Sequence, residues 1–288
     1  MLRTRLWMGG LLILLALGLF FEERYVSRHF PIFFFLVFIV QFLAGLELFR
    51  MIPKADQPRK LSTFLGLILF SPVCFVAFIN YGSRPVDFAF FALLIAGFIA
   101  LLTELWYFRA EDRNFIPRVA LALFFYFYLG FLGSFIELLR ILPNEGKIYP
   151  SKSSWSLLLF IAVVKCNDIG AYFTGTLLCN RVLGRHLMAP MLSPKKTWEG
   201  FVGGMLSSIA VSIWIVQASD LKQGSLLFAL EFGITVGIAG VLGDLTESMI
   251  KREYHIKDAS KTIPGFGGIL DVIDSLLFAA PAAYFWLR

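Results

Sequence analysis

The sequence predicts an all-α, polytopic integral membrane protein with about nine transmembrane helices, and three observations lead there. Of its 288 residues 58% are hydrophobic and 16% are charged, against roughly half apolar and a quarter charged in a soluble domain. Mean hydropathy is +0.76, with 32 Phe. The apolar residues also come in blocks close to the ~20 residues a helix needs to cross the hydrocarbon layer. A spanning segment must satisfy its own backbone hydrogen bonds, and unbroken runs of Leu, Phe, Ile and Ala suit helices rather than barrel strands.

Nine spans are read at residues 6–21, 31–49, 61–80, 88–108, 118–142, 155–178, 200–218, 225–248 and 265–287. The first, behind Arg3 and Arg5, has the apolar core of a signal peptide. However, Phe20-Phe21-Glu22-Glu23 offers no small-residue cleavage site and eight spans follow, so it reads as an uncleaved helix. Spans two to five are joined by short charged loops such as Pro53–Lys60, a solvated turn against the headgroups. Glu47, Glu104 and Glu137 each fall near a helix end, which predicts interfacial placement. Trp7, Trp106, Tyr107 and Tyr149 fall where aromatic belts form. There is no internal repeat or low-complexity tract. Residues 1–150 therefore read as an N-terminal region for packing and lipid access, and 151–288 as the catalytic region.

Lys165, Asn167 and Asp168 interrupt the sixth span. Asp168 and Tyr172 are four apart and share a helix face, with Ala171 and Gly175 beside them. A small-residue stripe beside a carboxylate suits close helix packing around a buried site; the alternative is a Lys165–Asp168 pair that only neutralises itself. The sixth loop, Leu192 to Gly204, carries Ser193-Pro194, a turn leading into a first helical turn. Lys195, Lys196 and the Thr197 hydroxyl at that helix start form a candidate phosphate-binding cluster, against the plainer reading of a positive-inside loop.

Lys and Arg in the loops set the orientation. The N-terminus and the even-numbered loops, with Arg118 at the edge of the fifth span, hold 17 of the 26, so that side is expected to face the cytoplasm. The net charge of +6 fits anionic headgroups, and no basic run argues for nucleic acid. Cys74, Cys166 and Cys179 lie in or beside spans without CxxC spacing, so neither a disulfide framework nor a zinc site is indicated and apolar packing is expected.

The densest polar segment lies between the last two spans. Asp244 follows the glycine-bearing run Gly237–Gly243; Ser248 and then Lys251 come further along the same face. Across the loop Asp271 and Asp274, three apart, share a face of the last helix. Carboxylates from neighbouring helices suit a hard cation such as Mg²⁺, which takes one or two carboxylates and completes its shell with water and substrate phosphates. The surrounding lysines imply a polyanionic second ligand. Pro264-Gly265-Phe266-Gly267-Gly268 lets backbone approach a phosphate and then starts a helix. These features point to phosphoryl or nucleotidyl transfer. Walker GxxxxGK[ST], HExxH and GxSxG motifs are absent from the sequence.

Ser248-x-x-Lys251-Arg252-x4-Lys257-Asp258, followed by Pro264-Gly265-x-Gly267-Gly268-x-x-Asp271-x-x-Asp274, resembles the signature of the phosphatidate cytidylyltransferase (CDP-diacylglycerol synthase) family. Ser193-Pro194-Lys195-Lys196-Thr197-Trp198-Glu199-Gly200 and Asn167-Asp168-x-x-Ala171-Tyr172-x-x-Gly175 resemble two further blocks, so the likeness spans 165–275. The chain departs at two places, with Phe266 where the family usually has His and Val272 where it has Arg. The resemblance implies transfer of CMP from CTP to phosphatidic acid, with CDP-diacylglycerol and pyrophosphate as products. It implies Mg²⁺ on Asp244 and Asp271, with Asp274 supporting them or holding a second cation. Lys195, Lys196, Lys251, Arg252 and Lys257 are then expected on the CTP or phosphatidate phosphates, Lys251 as part of the catalytic set. Ser193, Thr197, Ser248, Asp258, Gly267 and Gly268 complete the substrate contacts, and Asp168 lines the cavity or orients a lysine. The resemblance also implies a homodimer in the bacterial inner membrane, and the loop charges put the N-terminus and active-site loops on the cytoplasmic side. Two other readings stand beside it: a transporter for an anionic substrate, and a degenerate, non-catalytic family member.

Overall fold

A computed structural model describes residues 30–54, 56–70, 85–108, 114–142, 150–176, 186–260, 262–265 and 267–288, with 7, 10, 14, 18, 21 and 22. Most of the first expected span, the later part of the third, Cys74, Cys179, Tyr149 and Phe266 lie outside the described residues.

The architecture is all-α, as expected. The helices are α1 (Pro31–Met51), the short α2 (Lys60–Ile68), α3 (Pro85–Trp106), α4 (Phe115–Arg140), α5 (Pro150–Phe173), α6 (Trp198–Ser219), α7 (Leu226–Glu253) and α8 (Leu270–Leu287). Helix α4 is continuous through a π-helical stretch at Tyr126–Phe131. All but α2 are long and apolar enough to cross a membrane, which makes seven spans among the described residues. Helix α8 starts five residues later than the sequence suggested. Before it, Gly265 and Gly267 adopt φ of +88° and +105°, conformations that glycine tolerates and a helix does not contain, and Ile263 and Gly267 close a tight turn by exchanging two backbone hydrogen bonds of 2.8 and 3.0 Å.

The chain forms two compact units, residues 1–148 with 258–272, and residues 149–257 with 273–288. The expected division fell at 150, yet Asp258–Val272 groups with the N-terminal residues.

In the first unit, the start of α1 has backbone N–H groups without intrahelical acceptors. Glu22 supplies them, accepting from Ile32 N–H at 2.7 Å and Phe33 N–H at 3.1 Å. The acidic residues expected at the interface are buried instead: Glu47 and Glu104 are 4% exposed and Glu137 is fully buried. Glu104 survives burial because Arg118 meets both its oxygens, at 3.0 and 2.7 Å, while Arg59 approaches at 3.3 Å. Glu104→Ala would remove the bidentate carboxylate partner of the buried Arg118 guanidinium. It is expected to cost about 3 kcal/mol of stability, seen as a lowered unfolding midpoint in detergent; an unchanged midpoint would show the pair to be dispensable.

In the second unit, α5, α6 and α7 pack on one another through small residues. A Cβ at Gly204 of α6 would lie 2.3 Å from Asn167 Oδ1 and 2.9 Å from the Asn167 carbonyl oxygen on α5. The α7–α8 approach is as close, since a Cβ at Gly243 would sit 2.4 Å from the Asp274 carbonyl oxygen. Ahead of α6 a small hairpin pairs β1 (Leu187–Ala189) antiparallel to β2 (Ser193–Thr197). This corrects the expectation that Ser193-Pro194 enters a helical turn. These residues are a strand edge, where proline is tolerated, and α6 begins at Trp198. Thr197 caps it, its Oγ1 accepting from Gly200 N–H at 3.1 Å.

Candidate active site

The second unit assembles residues from three separated stretches around one cavity of about 280 Å³. Helix α5 contributes Asn167, Asp168, Ala171 and Tyr172; the hairpin contributes Ser193, Lys195, Lys196 and Thr197; α7 contributes Asp244. The close α5–α6 crossing brings the hairpin end to α5, and Asn167 ties α5 to α7 by donating to the Gly237 carbonyl at 3.0 Å.

Charge pairing within the cavity is specific. Lys196 Nζ lies 2.8 Å from Asp244 Oδ2. Lys165 Nζ reaches Asp168 Oδ2 at 3.4 Å and Ser275 Oγ at 3.3 Å, and Ser275 Oγ also lies 3.4 Å from Asp168. The Lys165–Asp168 pair is therefore part of a group that includes α8, not an isolated neutral pair. Lys195 lines the cavity and is exposed.

Behind Asp244 lies an acidic centre. Oxygens of Asp244, Glu247 and Asp274 all come within 4.8 Å of one another, with Glu247 and Asp274 buried. The close α7–α8 approach at Gly243 makes this grouping. Glu247 also pairs with Lys251 one turn along α7, a link that keeps Lys251 beside the carboxylates. Oxygen-only donors of this kind suit a hard divalent cation, and Lys196 and Lys251 already offset part of the repulsion among the three carboxylates. Glu247 went unnoticed in the sequence. The signal was present in its spacing, three after Asp244 and four before Lys251, both same-face intervals on a helix.

The other expected residues are placed as follows. Ser248 is buried in α7. Arg252 holds backbone, donating to Leu192 O at 3.2 Å and Ile256 O at 3.1 Å, so it fastens the end of α7 to the hairpin. Lys257 and Asp258 are exposed. Within the first unit, Asp271 Oδ2 accepts from Gly268 N–H at 2.6 Å and Ala259 N–H at 3.1 Å, and Gly267 is packed directly against that carboxylate. Val272 N–H bonds to Ile269 O at 3.1 Å in the first turn of α8.

A sequence profile of the cytidylyltransferase family matches residues 2–288. The chain belongs to that family. The phosphatidate cytidylyltransferase of Bacillus subtilis (strain 168) is 30% identical over 256 residues, covering 88% of this chain and 87% of that protein. The Thermotoga maritima protein of the same name is 29% identical over 253 residues, covering 86% and 85%. "Phosphatidate cytidylyltransferase 4, chloroplastic" of Arabidopsis thaliana is 34% identical over 201 residues. That match covers 66% of this chain and 49% of the plant protein, so the chain spans about half the length of that relative. Membership, with seven helices among the described residues long and apolar enough to cross a membrane, marks the chain as an integral-membrane member of that family. Its likeness to the family is no longer confined to 165–275 but runs through the N-terminal helices as well.

Proposed function

We propose that the protein is a phosphatidate cytidylyltransferase, transferring CMP from CTP to phosphatidic acid with Mg²⁺ as the cation. The observation that carries this reading is the cavity that joins Lys195, Lys196, Ser193 and Thr197 to Asp168 and Asp244. It sets lysines and hydroxyls for a polyphosphate against carboxylates for a cation. Asp244, Glu247 and Asp274 would hold the cation. Asp271 belongs to the first unit and is proposed as a cation ligand in its own right, its carboxylate held by the Ala259 and Gly268 amides. When bound, Mg²⁺ supplies neutralisation of charge on the nucleotide phosphates.

The remaining work falls to the protein's own side chains. Lys195 and Lys196 draw in the triphosphate, and Lys196 exchanges its Asp244 partner for a phosphate oxygen. The phosphatidate phosphate forms a new bond to the α-phosphorus while the bond from that phosphorus to the β-bridging oxygen breaks, and pyrophosphate leaves. A phosphate nucleophile is already ionised at neutral pH, so no side chain needs to remove a proton. Lys251, held by Glu247, balances charge beside the leaving group. We place the hairpin and the end of α7 on the cytoplasmic face, following the loop charges, where CTP is available.

Two measurements test this. Purified protein in mixed micelles with phosphatidate, CTP and Mg²⁺ is expected to form CDP-diacylglycerol, and ATP or GTP to give little product. Absence of lipid product with every nucleotide would refute the assignment. Lys196→Ala is expected to raise KM for CTP about tenfold, the worth of one charge-assisted hydrogen bond, with a smaller change for phosphatidate. An unchanged KM for CTP would remove Lys196 from the nucleotide site.

A further inference from the structure

Glu47 sits near the C-terminal end of the apolar helix α1, 4% exposed, and does something its position in sequence does not suggest. Its Oε1 accepts from Ser260 Oγ at 2.6 Å, and its Oε2 accepts from Leu270 N–H at 2.9 Å, across 213 and 223 residues of chain. Leu270 is the first residue of α8, so Glu47 fills one of the N–H groups that a helix start leaves without an intrahelical acceptor. A carboxylate there is also favoured by the helix dipole. Gly268 is pressed on the same carboxylate, since a Cβ on it would lie 2.5 Å from Glu47 Oε2.

The segment between these anchors is the glycine turn that leads into Asp271. Ser260 Oγ also accepts from Thr262 N–H at 3.0 Å, extending the hold to the start of the turn. At the other end Asp271 Oδ2 takes the Gly268 and Ala259 amides. The turn is thus clamped between two carboxylates, one of them belonging to α1. Neutral donors, not a cation, occupy the named Glu47 contacts, so the pairing is directional and fixes backbone atoms rather than only balancing charge.

We infer that Glu47 is a positioning residue: it caps α8 from a distance and holds the Ser260–Leu270 turn so that the Asp271 carboxylate is presented in one orientation to its ligand. This rests on the reading of Asp271 as a cation ligand given above. It gives the N-terminal region a part in the chemistry beyond packing and lipid access.

The test uses the full-length protein in detergent micelles, with two readouts. Amide hydrogen exchange is followed without metal in wild type, Glu47→Ala, Glu47→Gln and Ser260→Ala. Loss of the clamp is expected to speed exchange in 259–271 at least tenfold in Glu47→Ala, with less change in Glu47→Gln, which keeps one acceptor oxygen, and none in α3 or α4. In the lipid-product assay, Glu47→Ala is expected to raise the Mg²⁺ concentration for half-maximal rate about tenfold while KM for CTP stays within twofold. Wild-type exchange in 259–271 together with a wild-type Mg²⁺ dependence would overturn the inference. If Glu47→Ala speeds exchange throughout the protein, Ser260→Ala decides: acceleration confined to 259–271 supports the clamp, and none refutes it. If wild type forms no CDP-diacylglycerol, the proposed function fails, and the metal-free exchange pattern still decides whether Glu47 holds the turn.

Discussion

Asp244→Ala is expected to lower the turnover of CTP and phosphatidate by about 1,000-fold, the scale on which a preorganised charge at a reacting centre contributes. Asp244 is the one carboxylate shared by the lysine-lined cavity and the acidic centre. Its loss removes a proposed cation ligand and also the 2.8 Å partner of Lys196. The side chain is 38% exposed, so truncation leaves no buried hole and the variant should fold normally. Turnover, Mg²⁺ dependence and the unfolding midpoint are measured together. A variant that folds and keeps more than a tenth of wild-type turnover would remove Asp244 from the centre.

Gly243→Val is expected to reduce turnover about 100-fold and to destabilise the protein by about 3 kcal/mol, the upper part of the usual cost of overpacking. The obstacle is backbone, the Asp274 carbonyl oxygen at 2.4 Å and the Ser275 Cα at 3.0 Å from any added Cβ. Neither can rotate away as a side chain would, so α7 and α8 must separate, and with them Asp244 and Glu247 from Asp274. Gly10, where an added Cβ meets nothing within 4 Å, is the control: Gly10→Ala should leave both quantities unchanged. Wild-type turnover in Gly243→Val would show that the close approach does not assemble the site.

The sequence exposed the spans because a bilayer demands long unbroken apolar runs, and seven of the nine runs stand among the described residues as helices long enough to cross it, with ends shifted by up to five residues. It did not expose the β1–β2 hairpin, whose strands of three and five residues are too short to show alternation and include a proline. The start of α8 was misplaced because apolar content continues through Ile263 to Ile269, while the positive φ of Gly265 and Gly267 prevents a helix there. At the site, Asp168, Lys195, Lys196 and Asp244 were legible as charges inside or beside apolar runs, where such groups are expensive. Glu247 was not, because near the polar end of a 28-residue helix a glutamate four before a lysine resembles an ordinary surface pair. Only the approach of α8 at Gly243 shows that it is buried. Glu47 was hidden for another reason, since partners more than 200 residues away leave no mark on local pattern.

The central claim is transfer of the cytidylyl group, which places bond cleavage between the α- and β-phosphorus. The most direct measurement supplies CTP labelled at the α- or the γ-phosphorus, with phosphatidate, Mg²⁺ and purified protein, and follows where each label goes. The account predicts that the α label enters the lipid, that the γ label appears in pyrophosphate, and that the two products form in equal amounts. Entry of the γ label into the lipid, or release of labelled phosphate with none in lipid, would contradict it.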